Sequence, residues 1–279
     1  MERTVITLGG VLLNSSVMNA SGPHSAERAE ILELANAHRG AVVFKSCNQF
    51  GLDAPDNLKN RGVEYFADIA GDLVPRGKPI VASVVGETDD EIVRVAATLD
   101  LAGVKLIELN LADDFVQKAV NPFASLERLR QIVGRVRGEV QTPLALKLPP
   151  KLELPPAEVV ELCRSLPLQV LLCANDLPKD LEVDLKAAIA KGPERALSQV
   201  HTYRRAAMGA VEIVAVGGIN SGRDAYLAHL TGANAVQVGS ALIKEGAGAL
   251  TRIDTELDDL LGEYGHASVN EIVGSLRFS

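Results

Sequence analysis

Residues 106–150, LIELNLADDFVQKAVNPFASLERLRQIVGRVRGEVQTPLALKLPP, carry the pattern that decides the fold. The stretch opens on an apolar run, LIELNL (106–111), and closes on another, LALKLP (144–149). Between them SLERLRQIVGRVR (125–137) repeats its apolar residues at helical spacing. Strand, helix, strand in close succession is a βαβ unit, whose strands run parallel and are covered by the crossing helix.

The alternation extends in both directions. Strands are expected at SVMNAS (16–21), AVVFKS (41–46), PIVASVV (79–85), VLLCAN (170–175), EIVAVGG (212–218) and AVQVGS (235–240). Further helices are expected at 25–37 with Ser25 as N-cap, at 89–102, and at 156–166 with prolines at its start. Eight strands with helices between them, in 279 residues without a second composition regime, imply an α/β fold: a (β/α)8 TIM barrel forming one domain over 1–279. A doubly wound open sheet is the lesser option. Ahead of the first barrel strand, TVITLGGVLLN (4–14) reads as a β-hairpin turning at Gly9-Gly10 and closing the bottom of the barrel. The patternless CNQFGLDAPDNLKNR (47–61) is long enough to be an active-site loop.

Composition excludes several classes. A net charge of −8 offers no basic stripe for a phosphate backbone, and 4% aromatic content offers few stacking platforms, so nucleic acid is not an expected partner. No apolar run reaches the roughly 18 residues of a membrane span, and the first residues lack a basic and then apolar leader, so the expected location is the cytoplasm. Cys47, Cys163 and Cys173 are widely spaced and read as reduced, packed thiols rather than disulfide partners or zinc ligands. The histidines lack metal-ligand spacing; only His24 lies near the presumed mouth, and no metal is predicted.

In such a barrel the chemistry sits at the carboxyl ends of the strands. There the sequence places Asn19, Ser21, Lys45, Ser46, Asn110, Lys147, Asn175, Asp176, Gly217, Gly218 and Gly239. A lone lysine closing an apolar run is often an ordinary strand end. Two of them, Lys45 and Lys147, would converge on one cavity, which is costly unless an electron-rich or anionic group lies between. The segments AVGGINSGRDA (215–225) and GANAVQVGSAL (232–242) suggest a phosphate cradle of backbone N–H groups, backed by a helix N-terminus. No GxxxxGK[ST] or GxGxxG stretch is present.

Together VMNASG (17–22), FKS (44–46), IELNL (107–111), LKLPP (146–150), VGGINSGRDA (216–225) and GANAVQVGSALIKEG (232–246) resemble the dihydroorotate dehydrogenase family, particularly its cytosolic class 1. The resemblance implies a homodimeric, FMN-dependent oxidoreductase of pyrimidine metabolism, in which hydride leaves the substrate for the flavin and a side-chain base takes the proton. It implies that Ala20, Ser21, Gly22, Lys45 and Ser46 line the flavin. Asn110 and Lys147 would contact its ring system, and Gly217, Gly218, Gly239 and Ser240 would hold its phosphate. Lys45 and Lys147 would also serve catalysis by offsetting negative charge.

The departures from that pattern concern the substrate. Class 1 continues Ser-Cys-Pro-Asn after the ELNL strand, with cysteine as base; this chain continues Ala112-Asp113-Asp114-Phe115. Asp113 stands at the base position, or else Asp113 and Asp114 are solvated loop acids. Aspartate has a reference pKa of about 3.9 against about 8.5 for cysteine, so it is ionised at neutral pH but intrinsically the weaker base. An Asn-Ser pair after the sixth strand is here Asn175-Asp176, and Asn57 is the candidate to replace a lost asparagine contact in the 47–61 loop. Asn57, Asn110, Asp114, Asn175 and Asp176 are thus the candidate substrate contacts, and the added acids argue for a neutral or cationic substrate rather than orotate, an anion. The family's glycine-rich Gly-Gly-x-x-Gly stretch is missing from 177–206, where Arg195 or Arg204 could supply charge instead. The alternatives are a genuine dihydroorotate dehydrogenase, a non-catalytic flavin-binding homologue, and a barrel aldolase using Lys147 as a Schiff base. Without a ferredoxin-like cysteine cluster, electrons would pass to a soluble acceptor or a separate electron-transfer subunit.

Overall fold

The computed structural model describes residues 3–51, 59–174 and 198–276. Barrel strands β3 (Val17–Asn19), β4 (Val42–Val43), β5 (Ile80–Val84), β6 (Leu106–Leu109), β7 (Leu144–Lys147), β8 (Val170–Ala174), β9 (Glu212–Val216) and β10 (Ala235–Val238) follow the hairpin β1 (Ile6–Leu8) and β2 (Val11–Leu13). The eight pair in parallel, in the order β4, β5, β6, β7, β8, β9, β10, β3. Most of their residues are apolar on both faces, since one face fills the barrel and the other meets the helices, with Ser83, Glu108 and Gln237 among the buried polar exceptions. The strands are shorter than their sequence patterns: Asn19 and Lys147 are the last paired residues of β3 and β7, and Ser21, Lys45, Ser46, Asn110, Gly217, Gly218 and Gly239 lie just past paired segments.

Among the described residues no backbone ladder joins β3 to β4. The side chain of Asn19 substitutes for it: Nδ2 donates to the carbonyl of Val43 at 2.6 Å, and Oδ1 accepts from its N–H at 2.9 Å. An amide side chain offers the same donor and acceptor pair as a peptide group, so one residue closes the ring.

Ten described helices surround the sheet: α1 (Arg28–Ala37), α2 (Val63–Leu73), α3 (Asp89–Leu101), α4 (Asp114–Ala119), α5 (Leu126–Glu139), α6 (Pro156–Ser165), α7 (Gln199–Ala207), α8 (Gly222–Thr231), α9 (Ser240–Glu245) and α10 (Gly248–Glu263). Thr88 and Ser125 cap α3 and α5 by accepting from the N–H groups of Glu91 and Arg128. Ser25 does not cap α1 as expected. It ends a 3-10 turn and donates to the carbonyl of Gly22, while Glu27 takes the cap position and Glu30 accepts from its N–H.

The hairpin closes the N-terminal end of the barrel. Gly9, at φ +58°, brings its backbone against Leu106, Pro143 and Val170 at the strand starts, and donates its N–H to the carboxylate of Glu212. Asp254 on α10 anchors the same region, accepting from Thr4 and Ser15 at 2.7 Å each and from Arg39 at 2.8 Å.

His229 on α8 is fully buried. Its Nδ1 lies 2.8 Å from the carbonyl of Ala233, which only accepts, so Nδ1 carries the proton and Nε2 accepts from Ser16 Oγ at 3.1 Å. Burial pulls its pKa down to about 4 from 6.5. Because the unfolded chain binds this proton first, the contribution of His229 to stability is complete above the unfolded value and lost as pH falls from 6.5 toward 4. The loss amounts to about 3 kcal/mol. Denaturation followed between neutral and mildly acid pH should show this slope, and His229→Gln should flatten it; an equal slope in the variant would assign the acid sensitivity elsewhere.

Candidate active site

At the carboxyl end of the barrel one cavity is lined by Ser21, Lys45, Ser46, Asn110, Asp113 and Lys147, with Asn48, Asn60, Val85 and Phe115 completing the wall. Both lysines therefore reach the same space, from β4 and β7.

A bulge brings two consecutive residues of one strand to the cavity. Phe44 donates its N–H to Val81 and Cys47 donates to Ser83, so three residues on the β4 side span two on β5. The extra residue breaks the alternation that would otherwise turn either Lys45 or Ser46 outward. Lys45 is buried, and burial lowers its pKa; the charge of Asp113 opposes that effect and the charge of Lys147 adds to it.

Register places the second lysine. Glu108 on β6 is level with Ser83 and Ala145, and Lys147 follows Ala145 by two residues on the same face, one layer nearer the mouth. Its Nζ lies 3.3 Å from Glu108 Oε1 and 3.3 Å from Ser21 Oγ. Glu108, which is wholly buried, was not singled out from sequence. A lone acid in an apolar strand reads as an outward residue on an alternating edge, and only the pairing shows it facing inward. Burial pushes its carboxyl up, but the Lys147 charge and hydrogen bonds from Gln237, Ser21 and Ser83 prevail, and the pKa falls below the ordinary glutamate value.

Asp113 precedes α4 and accepts from the N–H of Phe115 at 3.0 Å, so it is both a helix cap and a cavity residue. Asp114, expected at the substrate, sits in the first turn of α4, exposed and not itself among the lining residues, although its neighbours Asp113 and Phe115 are. Asn57, Asn175, Asp176 and Arg195 lie outside the described residues. Asn48 and Asn60, not singled out from sequence, enter the site from the loop after β4. Asn60 Oδ1 accepts from Gly62 N–H at 3.0 Å, whereas the buried Asn48 Oδ1 has no partner among the described residues. Cys47, beside the site in sequence, is buried and its thiol is pushed up to about 12 by burial, so it offers no thiolate base. His24 occupies the 3-10 turn before α1 and is not among the lining residues.

Beside the cavity β9, β10 and β3 are successive neighbours, so their terminal loops form a continuous rim. Gly217 and Gly218 have φ of +101° and +70° and are exposed, and nothing lies within 4 Å of where a Gly217 side chain would begin. Gly239 faces Ala20, with 3.8 Å between the Ala20 Cβ and the position of a Cβ on the glycine. This open backbone, followed by Ala20, Ser21 and Gly22 and then the lysines, suits a phosphate-bearing ligand with a polar planar head, which fits FMN. The N-terminus of α8 does not contribute as expected, because it is already capped. Asp224 N–H goes to Ser221 Oγ, and Gly222 N–H goes to Glu256 of α10 at 2.7 Å. Arg204 is also remote from this rim: it packs over Gly232 and Gly274, beyond the opposite end of β10.

The sequence model of the family described as "Dihydroorotate dehydrogenase" matches residues 5–261. A chain from Streptococcus pyogenes serotype M5 described as "Putative dihydroorotate dehydrogenase A (fumarate)" is 26% identical over 311 residues, covering 100% of this chain and 99% of that one. A chain of the same description from Streptococcus agalactiae serotype Ia is 25% identical, covering 97% of each. The ligand-free crystal structure of DHODH from Eimeria tenella superposes with a TM-score of 0.80 at 18% identity, over 99% of this chain and 92% of that one. That likeness confirms the barrel.

Removing one partner of the Lys147–Glu108 pair leaves a charge buried at the barrel centre. Lys147→Met should therefore cost on the order of 3 kcal/mol in denaturant unfolding, and Glu108→Gln in the same chain should restore part of it. Strictly additive losses in the double variant would show that the two groups do not interact.

Proposed function

Because the chain belongs to the dihydroorotate dehydrogenase family, we propose that it is an FMN-dependent oxidoreductase acting on a carbon–carbon single bond, with Asp113 as its base and a substrate other than dihydroorotate. The observation that carries this reading is the convergence of Lys45, Lys147, Asn110 and Asp113 on one cavity beside an open glycine rim.

When bound, FMN supplies a two-electron acceptor for hydride. The chain's own residues do the rest. Gly217, Gly218, Gly239 and Ser240 would line the phosphate, the glycines letting it approach the backbone closely. Lys45 and Lys147 would favour negative charge on the ring system. Asp113 would take the substrate proton at a carboxylate oxygen, while Val85 and Phe115 supply the apolar part of the cavity wall.

The donor and acceptor balance supports a substrate that carries N–H groups or positive charge. Asp113 adds a negative group to the lining, and Asn48 Oδ1 is a buried acceptor without a donor among the described residues. Dihydroorotate is the second reading: Asn48, Asn60 and Asn110 all face the cavity, and Asp114 does not. A Schiff-base aldolase fits less well, because an attacking amine must be uncharged and Lys147 is ion-paired with a buried carboxylate. A homodimer passing electrons to a soluble acceptor completes the proposal; fumarate, named in the description of the streptococcal relatives, is the first acceptor to try.

The purified protein should be yellow, with a flavin absorption band, and should oxidise dihydroorotate poorly; a colourless preparation removes the cofactor assignment, and robust dihydroorotate turnover removes the substrate assignment. Asp113→Asn keeps a residue that caps helices well, so it separates the charge from the cap. It should lower turnover at least about a hundredfold with the flavin still bound. Undiminished turnover would return Asp113 to a capping role alone.

A further inference from the structure

The polar groups at the floor of the cavity lead to one carboxylate. Glu108 Oε1 accepts from Ser83 Oγ and Ser21 Oγ, each at 3.0 Å, and from Lys147 Nζ at 3.3 Å, and Oε2 accepts from Gln237 Nε2 at 3.0 Å. Ser83 has a single hydroxyl proton and gives it to Glu108. In the 2.9 Å contact between Ser46 and Ser83, Ser46 is therefore the donor. Ser46 accepts in turn from Asn110 Nδ2 at 3.0 Å. The chain Asn110, Ser46, Ser83, Glu108 thus runs one way, and it commits the amide nitrogen of Asn110 to the floor, leaving the amide oxygen as the end available to a ligand. A second, shorter branch holds Lys147 through Ser21 and directly.

We infer that Glu108 is a positioning residue: from beneath the cavity it holds the Lys147 ammonium in place and fixes which end of the Asn110 amide faces the ligand. It does not line the cavity itself, and acts only through these neighbours. In the barrel the arrangement is layered, with the carboxylate one level below the ammonium. The charge that a ligand meets at Lys147 is therefore partly balanced from below. The inference deepens the flavin reading but does not depend on it, since the hydrogen-bond chain is present whatever ligand the cavity takes.

The test uses Glu108→Gln in the full chain, which preserves shape but removes the charge and substitutes an NH2 group for one acceptor. Trace acetylation with acetic anhydride at a fixed, mildly alkaline pH, read peptide by peptide by mass spectrometry, reports the uncharged fraction of each lysine. Exposed Lys151 serves as the internal standard, and wild type and variant are matched for flavin content. Loss of the carboxylate that holds the ammonium should raise the relative labelling of Lys147 roughly tenfold; an unchanged rate overturns the inference. Should that variant fail to fold, Ser21→Ala at the cavity edge removes one link and should raise the same rate about two- to threefold, and no rise there overturns it equally.

In flavin-loaded protein the flavin reduction potential should also rise in Glu108→Gln, because a nearby negative charge opposes electron uptake. A tenfold change in the equilibrium corresponds to about 30 mV for a two-electron couple. An unmoved potential beside a raised labelling rate would overturn the role in ligand charge. Absence of flavin would instead count against the proposed function, with the labelling result still deciding the role of Glu108.

Discussion

A carboxylate sealed inside a barrel is the constraint from which the rest of this site follows. Glu108 has no contact with solvent, and an unpaired charge there would be prohibitive. Its neighbours are accordingly those that can donate: two serines, a glutamine and a lysine, drawn from four strands or strand ends. Meeting that demand commits the hydroxyl proton of Ser83 and the amide nitrogen of Gln237 to the carboxylate. The cavity floor takes its polarity from this arrangement rather than from the ligand.

The remaining geometry places charges above that floor. The bulge between Phe44 and Cys47 turns Lys45 and Ser46 to the same side, and the pairing of β6 with β7 sets Lys147 one layer above Glu108. Positive groups from two sides of the ring then face each other across a space bounded by Asp113. Two ammonium groups and two carboxylates leave the region near neutrality as a whole but strongly polar within. Such a site discriminates by the placement of charge more than by net attraction. Closure of the ring by Asn19 matters for the same reason, because β3 carries Ala20 and Ser21 and β4 carries Lys45.

The fold was legible because a parallel barrel writes itself into sequence as apolar runs punctuated by amphipathic helices, and LIELNL to LALKLP already contained one full unit. The convergence of Lys45, Asn110, Asp113 and Lys147 was legible by the same logic, since all lie at carboxyl ends of strands. What sequence did not reveal depends on partners distant along the chain. Glu108 is inward only by virtue of register. Glu256 blocks the N-terminus of α8 from 34 residues away. Asn48 and Asn60 reach the cavity from a loop with no periodicity to read, and Asp114 turns outward because α4 begins at that residue.

An aspartate at 113, where the resemblance implies a cysteine, differs from it in charge as well as in basicity. A thiol must first be deprotonated to act and carries no standing charge, whereas a carboxylate at neutral pH is charged throughout. Here that charge is given structural work as well: it caps α4 through the N–H of Phe115, and it opposes the burial of Lys45. A cysteine at this position would do neither as well, and the repulsion between Lys45 and Lys147 would lose its largest opposing charge. The nearby Cys47 cannot compensate, since burial keeps it a thiol. Asp113 and the two lysines therefore form one electrostatic unit at the cavity.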